Sequence, residues 1–142
     1  MLIGRNCAEL RCESVVSKDN LTFILVAEDS DDNREILRHI LRSSGYGVLE
    51  AVNGLQAVEI CKDKRPDLIL MDLSMPVLDG YGAVREIRAL EGTSAVPIIA
   101  VSAHATRDYR AKAFAVGFDD YLSKPIDFAQ LETLLDRYLN AA

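Results

Sequence analysis

No apolar run in this sequence approaches the roughly 18 residues needed to span a bilayer. The first 20 residues interleave Arg5, Glu9, Arg11, Glu13 and Lys18 with apolar ones and hold no hydrophobic stretch of signal-peptide length. No membrane insertion is expected. Cysteine is scarce: Cys7, Cys12 and Cys61 form no pair of CxxC spacing, and an odd count suits a reducing compartment better than a disulfide framework. The expected location is therefore cytoplasmic. With His39 and His104 far along the chain, Cys7 and Cys12 read as ordinary thiols rather than metal ligands. Basic residues are outnumbered, 16 Lys and Arg against 22 Asp and Glu, for a net charge of −6. Sequence-independent binding to nucleic acid needs a basic stripe to neutralise phosphates, so no direct nucleic-acid partner is expected. Internal repeats and low-complexity segments are also absent.

What is present is a chain of 142 residues, 49% of them apolar, which is the size of one domain. A chain this long buries about 70% of its unfolded surface, enough to fold without a disulfide or metal staple. It divides near Leu21. Residues 1–20 show no sustained period and read as a flexible N-terminal tail; residues 21–142 alternate strand-length apolar runs with helical periods. The strand candidates are Phe23 to Ala27, Gly47 to Ala51, Leu68 to Met71, Ile98 to Val101 and Asp120 to Leu122. Five amphipathic segments follow them. The first carries Ile36, Leu37, Ile40 and Leu41, the second Ala57, Val58 and Cys61, and the third Ala83, Ile87 and Leu90. On the fourth, Ala111, Phe114, Ala115 and Phe118 stand at i, i+3, i+4, i+7 and are expected to face the core. The fifth repeats that spacing with Leu131, Leu134, Leu135 and Tyr138, behind a capping pair of Asp127 and Gln130.

Alternating strands and helices imply a parallel sheet covered on both faces, and the runs FILVA and LILM are continuously apolar, as doubly buried strands should be. The expected fold class is α/β: a doubly wound sheet of five parallel strands with five helices, in which the flavodoxin-like order 2-1-3-4-5 would set strand 1 beside strand 3.

In such a sheet ligands bind beyond the carboxyl ends of the strands, where successive connections diverge to opposite faces. Glu28 and Asp29 stand past strand 1, Asp72 ends strand 3, Ser102 follows strand 4, and Lys124 with Pro125 follows strand 5. Three carboxylates brought together repel unless neutralised, and hard oxygen donors in a partly hydrated site suit Mg²⁺. With that charge neutralised, a carboxylate can attack a phosphoryl group while an ammonium and a hydroxyl stabilise its oxygens. Asp72, on the central strand, is the candidate nucleophile.

The runs AEDSDDNREIL (27–37), LILMDLSMPVLDG (68–80), VSA (101–103) and YLSKP (121–125) together resemble the receiver domain of two-component response regulators, over about residues 22–140. The resemblance implies that Asp72 accepts a phosphoryl group from a histidine kinase or a histidine phosphotransfer protein. It implies that Glu28, Asp29, Asp72 and the backbone carbonyl of Ser74 hold Mg²⁺, that Lys124 pairs with the phosphoryl group, and that Ser102 hydrogen-bonds to it. Tyr121 would be the aromatic switch that follows Ser102, and the Lys124–Pro125 bond would be cis. Glu28 replaces the family's frequent Asp, and Ser102 its frequent Thr. By the same resemblance, Ser74 and His104 occupy positions that vary in the family and influence phosphoryl lifetime there.

Two rivals fail on order or charge. A haloacid-dehalogenase-like phosphatase would match Asp29-Ser30-Asp31, but its closing acidic pair should follow the lysine, whereas Asp119 and Asp120 precede Lys124. A flavodoxin-like FMN carrier would place Glu28 and Asp29 against a phosphate. With no output domain after Leu139, the expectation is a stand-alone receiver that signals by docking on a downstream protein target, the alternative being a fragment of a larger hybrid protein. On the fourth helix Tyr109, Ala113 and Val116 lie opposite the assumed core stripe and are expected to be exposed. Receivers commonly signal through the fourth helix, fifth strand and fifth helix, so that face is the expected docking or homodimer surface.

Overall fold

The computed structural model describes residues 21–103 and 106–140. Five strands, β1 (Phe23–Ala27), β2 (Gly47–Ala51), β3 (Leu68–Asp72), β4 (Ile98–Ser102) and β5 (Asp120–Ser123), alternate with five helices. These are α1 (Asp31–Ser43), α2 (Gly54–Lys64), α3 (Gly80–Ala89), α4 (Arg107–Val116) and α5 (Phe128–Leu135), the last running into a π-helical turn, Asp136–Asn140. All neighbouring strands pair in parallel in the order β2-β1-β3-β4-β5. The expected order 2-1-3-4-5 is the observed one.

The period of two along each strand sorts the core into two layers. Leu25, Ala27, Ile69, Met71, Ile98 and Ala100 face one side, where α2, α3 and α4 supply Val58, Cys61, Val84, Ile87 and Ala113. Ile24, Val26, Leu68, Leu70, Ile99 and Val101 face the other, where α1 and α5 supply Leu37, Leu41, Leu131, Leu134 and Leu135. Each helix starts beyond the carboxyl end of a strand, and each start is capped by a side chain. Ser30, Asn53, Asp79, Thr106 and Asp127 accept amides of their first turns, which satisfies donors that the helix itself leaves unpaired.

α4 is turned the other way from the expectation. Ala113 is fully buried and Val116 packs against the core, whereas Ala111 and Ala115 are exposed and Phe114 keeps 45% of its surface in solvent. Tyr109, at 42%, is the one member of the expected outer stripe that is exposed. Phe118 is buried as expected, but it lies beyond Gly117, whose φ of +125° has already ended the helix. Extrapolating 100° per residue across that break put Phe118 on the same stripe as Phe114. On α1 the apolar set is also narrower than expected, with Leu37 and Leu41 buried and Ile36 exposed. The tail 1–20, with Cys7 and Cys12, and His104 lie outside the described residues.

Candidate functional site

The order of the strands puts the polar residues at their carboxyl ends into one cluster. Asp72 is the last residue of β3, the central strand, and Glu28 follows β1 directly beside it. Glu28 and Asp72 are buried and Asp29 is exposed, yet one carboxylate oxygen from each lies within 4.8 Å of the others. From β5, Lys124 reaches in: its Nζ donates to Asp72 Oδ2 at 2.9 Å and lies 3.0 Å from Glu28 Oε1. Its backbone amide donates to the Ser102 carbonyl at 2.8 Å, which joins the end of β5 to that of β4. The Lys124–Pro125 bond is cis, as the resemblance implied.

Both buried acids are held by backbone as well. The Ser74 amide donates to Asp72 Oδ1 at 2.9 Å, and the Ser30 amide to Glu28 Oε2 at 3.1 Å. Burial raises the Glu28 pKa, and the nearby Asp72 charge adds to this, against the lowering by the Ser30 amide and Lys124. Burial pulls the Lys124 ammonium down, but its bonds to Asp72 and Glu28 outweigh this and leave its pKa raised.

Ser102 is buried at the end of β4. Tyr121 is buried one strand further along, in the layer under α4, and the Arg110 guanidinium lies 5.2 Å from its ring centroid. The structure therefore brings Glu28, Asp29, Asp72 and Lys124 together, sets Ser74 against Asp72 through its amide, and keeps Tyr121 in the core.

Other residues shape the cluster without having been singled out. Gly80 donates its amide to the Leu73 carbonyl, and a Cβ there would lie 2.6 Å from the Asp72 carbonyl oxygen. Only glycine lets α3 start this close to the acid. Arg34 on α1 donates to the Glu28 carbonyl at 2.8 Å. The first has a visible signal, the DG pair before a helical period; the second has none, since a contact to a backbone carbonyl leaves no mark in residue type.

Three carboxylates with hard oxygen donors, two of them buried, form a set that fits a divalent ion with waters in its remaining positions. The model for the response regulator receiver domain matches residues 24–136. The chain belongs to this family. It is 30% identical over 119 residues to the polar-differentiation response regulator DivK of Brucella anthropi, covering 84% of this chain and 97% of that protein. It is 37% identical over 117 residues to the sensor histidine kinase CheAY of Helicobacter pylori, covering 81% of this chain but only 15% of the kinase. Among solved structures it matches the receiver domain of a sensor histidine kinase from Pseudomonas aeruginosa PAO1 at 43% identity and a TM-score of 0.80, over 85% of this chain and 99% of that one. That receiver was crystallised with a magnesium ion coordinated in its active site cleft. This receiver is a signalling module of the two-component type. Among its described residues no helix is long and apolar enough to cross a membrane.

Proposed function

We propose that residues 21–142 act as one receiver unit in which Asp72 is the phosphoryl acceptor. The observation that carries this reading is the position of Lys124, within 3.0 Å of both Glu28 and Asp72 at the point where three carboxylates converge. A carboxylate oxygen of Asp72 attacks the phosphorus of a phosphohistidine; the new O–P bond forms as the P–N bond breaks, and the imidazole leaves. Glu28, Asp29, Asp72 and the Ser74 carbonyl would hold Mg²⁺, which when bound neutralises charge on the acids and the phosphoryl oxygens. Lys124 exchanges its Asp72 partner for a phosphoryl oxygen, and the Ser102 hydroxyl donates to another. Tyr121 follows Ser102 as the switch.

The donor is a histidine kinase or a histidine phosphotransfer protein. An open cleft of about 490 Å³ beside Glu28 and Lys124, walled by Ile36, Leu37, Ile126 and Phe128, gives its histidine-bearing segment a place to rest. Phosphorylation then governs docking on a downstream protein or a second copy through α4, β5 and α5, with exposed Phe114 on that face. The reading sets the protein in the cytoplasm, in keeping with the free thiol of Cys61.

Incubation with acetyl phosphate and Mg²⁺ should add about 80 Da, the mass of one phosphoryl group, to the wild type and nothing to Asp72→Asn. Full labelling of Asp72→Asn overturns the assignment.

A further inference from the structure

We propose that Arg34 is a positioning residue for the metal-binding acids, an inference that rests on the acceptor-site reading above. Its guanidinium is spread over three partners. Nη1 donates to the Glu28 backbone carbonyl at 2.8 Å, Nε to Glu50 Oε1 on β2 at 3.2 Å, and Nη2 to Asp31 at the start of its own helix. Glu50 is gripped a second time by Arg38, whose Nη1 lies 3.1 Å from both carboxylate oxygens. The bonds to the Glu28 carbonyl and to Glu50 are partly buried, whereas Asp31 is exposed, so the first two are the ones shielded from competition with water.

The carbonyl it holds belongs to the peptide plane that joins Glu28 to Asp29. On the other side of Glu28, the amide donates to the Ala51 carbonyl at 3.0 Å, and the side chain is fixed by Ser30 and Lys124. Glu28 is thus placed from every direction. Asp29 is not: among the described residues nothing pairs with its carboxylate, which nevertheless stands within reach of Glu28 and Asp72. Its direction is set by its backbone, and the plane leading into that backbone is set by Arg34. The fork geometry matters here, because one flat group bonds a carbonyl and two carboxylates at once, which an ammonium on a flexible stem does not reproduce.

Charge alone predicts the opposite of positioning. A cation beside an acidic cluster repels Mg²⁺, so deleting it for its charge would tighten binding. If Arg34 orients Asp29, deleting it loosens binding, in the range seen when a group that orients a metal ligand is removed.

The test is calorimetric titration of Mg²⁺ into the unphosphorylated protein at fixed ionic strength, for wild type, Arg34→Gln and Arg34→Lys, with melting temperatures measured without metal. Both variants should bind Mg²⁺ about tenfold more weakly. If Arg34→Gln does not fold, Arg34→Lys, which keeps the charge and the stem, carries the test alone. Wild-type or tighter affinity overturns the proposal, including the case in which only the melting temperature falls, since that is a purely structural role. A wild type that binds no Mg²⁺, or an Asp72→Asn protein that is still labelled, overturns the acceptor-site reading instead.

Discussion

The carbonyl oxygen of Leu78 accepts the backbone amide of Gly54 at 3.0 Å, so the loop after the candidate acceptor strand is fastened to the first residue of α2. The approach leaves no room for a side chain: a Cβ on Gly54 would lie 2.1 Å from that oxygen. Gly54→Ala should therefore push the loop away from α2 and destabilise the protein by about 1–3 kcal/mol, the usual range for overpacking. Urea unfolding measures this, and an unchanged midpoint would show that the contact does not constrain the loop.

In the same loop Val77 has φ +69°, and the Leu78 amide bonds back across it to the Pro76 carbonyl at 2.8 Å. A three-residue turn at positive φ is strained, and a β-branched residue is poorly suited to it. Val77 is 77% exposed, so little packing offsets that strain. Val77→Gly should stabilise the fold by about 0.5–1 kcal/mol, the relief of the left-handed conformation exceeding glycine's entropic penalty. A lower melting temperature for Val77→Gly would contradict this.

Metal linkage follows from the crowding of acids. With Glu28, Asp29 and Asp72 so close, Mg²⁺ that binds only the folded state should stabilise it by about 2.7 kcal/mol at a hundredfold excess over Kd. Asp29→Asn should abolish that gain and leave the metal-free protein at least as stable as wild type. A wild-type melting temperature indifferent to Mg²⁺ at constant ionic strength would count against the site.

Cys61, on the buried face of α2, offers a test of the core that depends on pH. Burial lifts its thiol from 9.0 to about 11. The folded state holds the proton more tightly than the unfolded one, so this contribution to stability is intact below about pH 9 and is lost as pH rises through about 11. In a Cys7→Ser, Cys12→Ser background, iodoacetamide at pH 8 should leave Cys61 unmodified until denaturant is added. Rapid modification of the folded protein would place Cys61 outside the core.

The sheet and the acids were legible in the sequence because each speaks through residue type. FILVA and LILM are continuously apolar, as doubly buried strands are, and carboxylates directly after parallel strands collect at one edge of the sheet. The orientation of α4 was not legible, because each of its two candidate faces carries alanine beside an aromatic residue, Tyr109 on one and Phe114 on the other. Ala113 and Ala115 look alike, and what separates them is which one lies over the sheet. The misleading partner was Phe118, buried for reasons of its own past the break at Gly117. Arg34 and Gly54 were silent for a different reason: each acts on a backbone carbonyl, and a carbonyl has the same identity at every position.

At the opposite rim of the sheet one side chain gathers several connections. Arg88 on α3 donates to the carbonyls of Ser94 and Val96 before β4 and of Gly117 after α4, and it pairs with Asp119 at 2.7 Å. Asp119 in turn accepts the Ile98 amide at 2.9 Å, the first of β4. The entries to β4 and β5 and the carboxyl end of α4 are thereby bolted into one plate. Arg88 thus ties the Gly117 end of α4 to the loop that enters β4, while the amino end of α4 lies outside that set of bonds. That amino end stands on the rim that carries Glu28, Asp29 and Asp72.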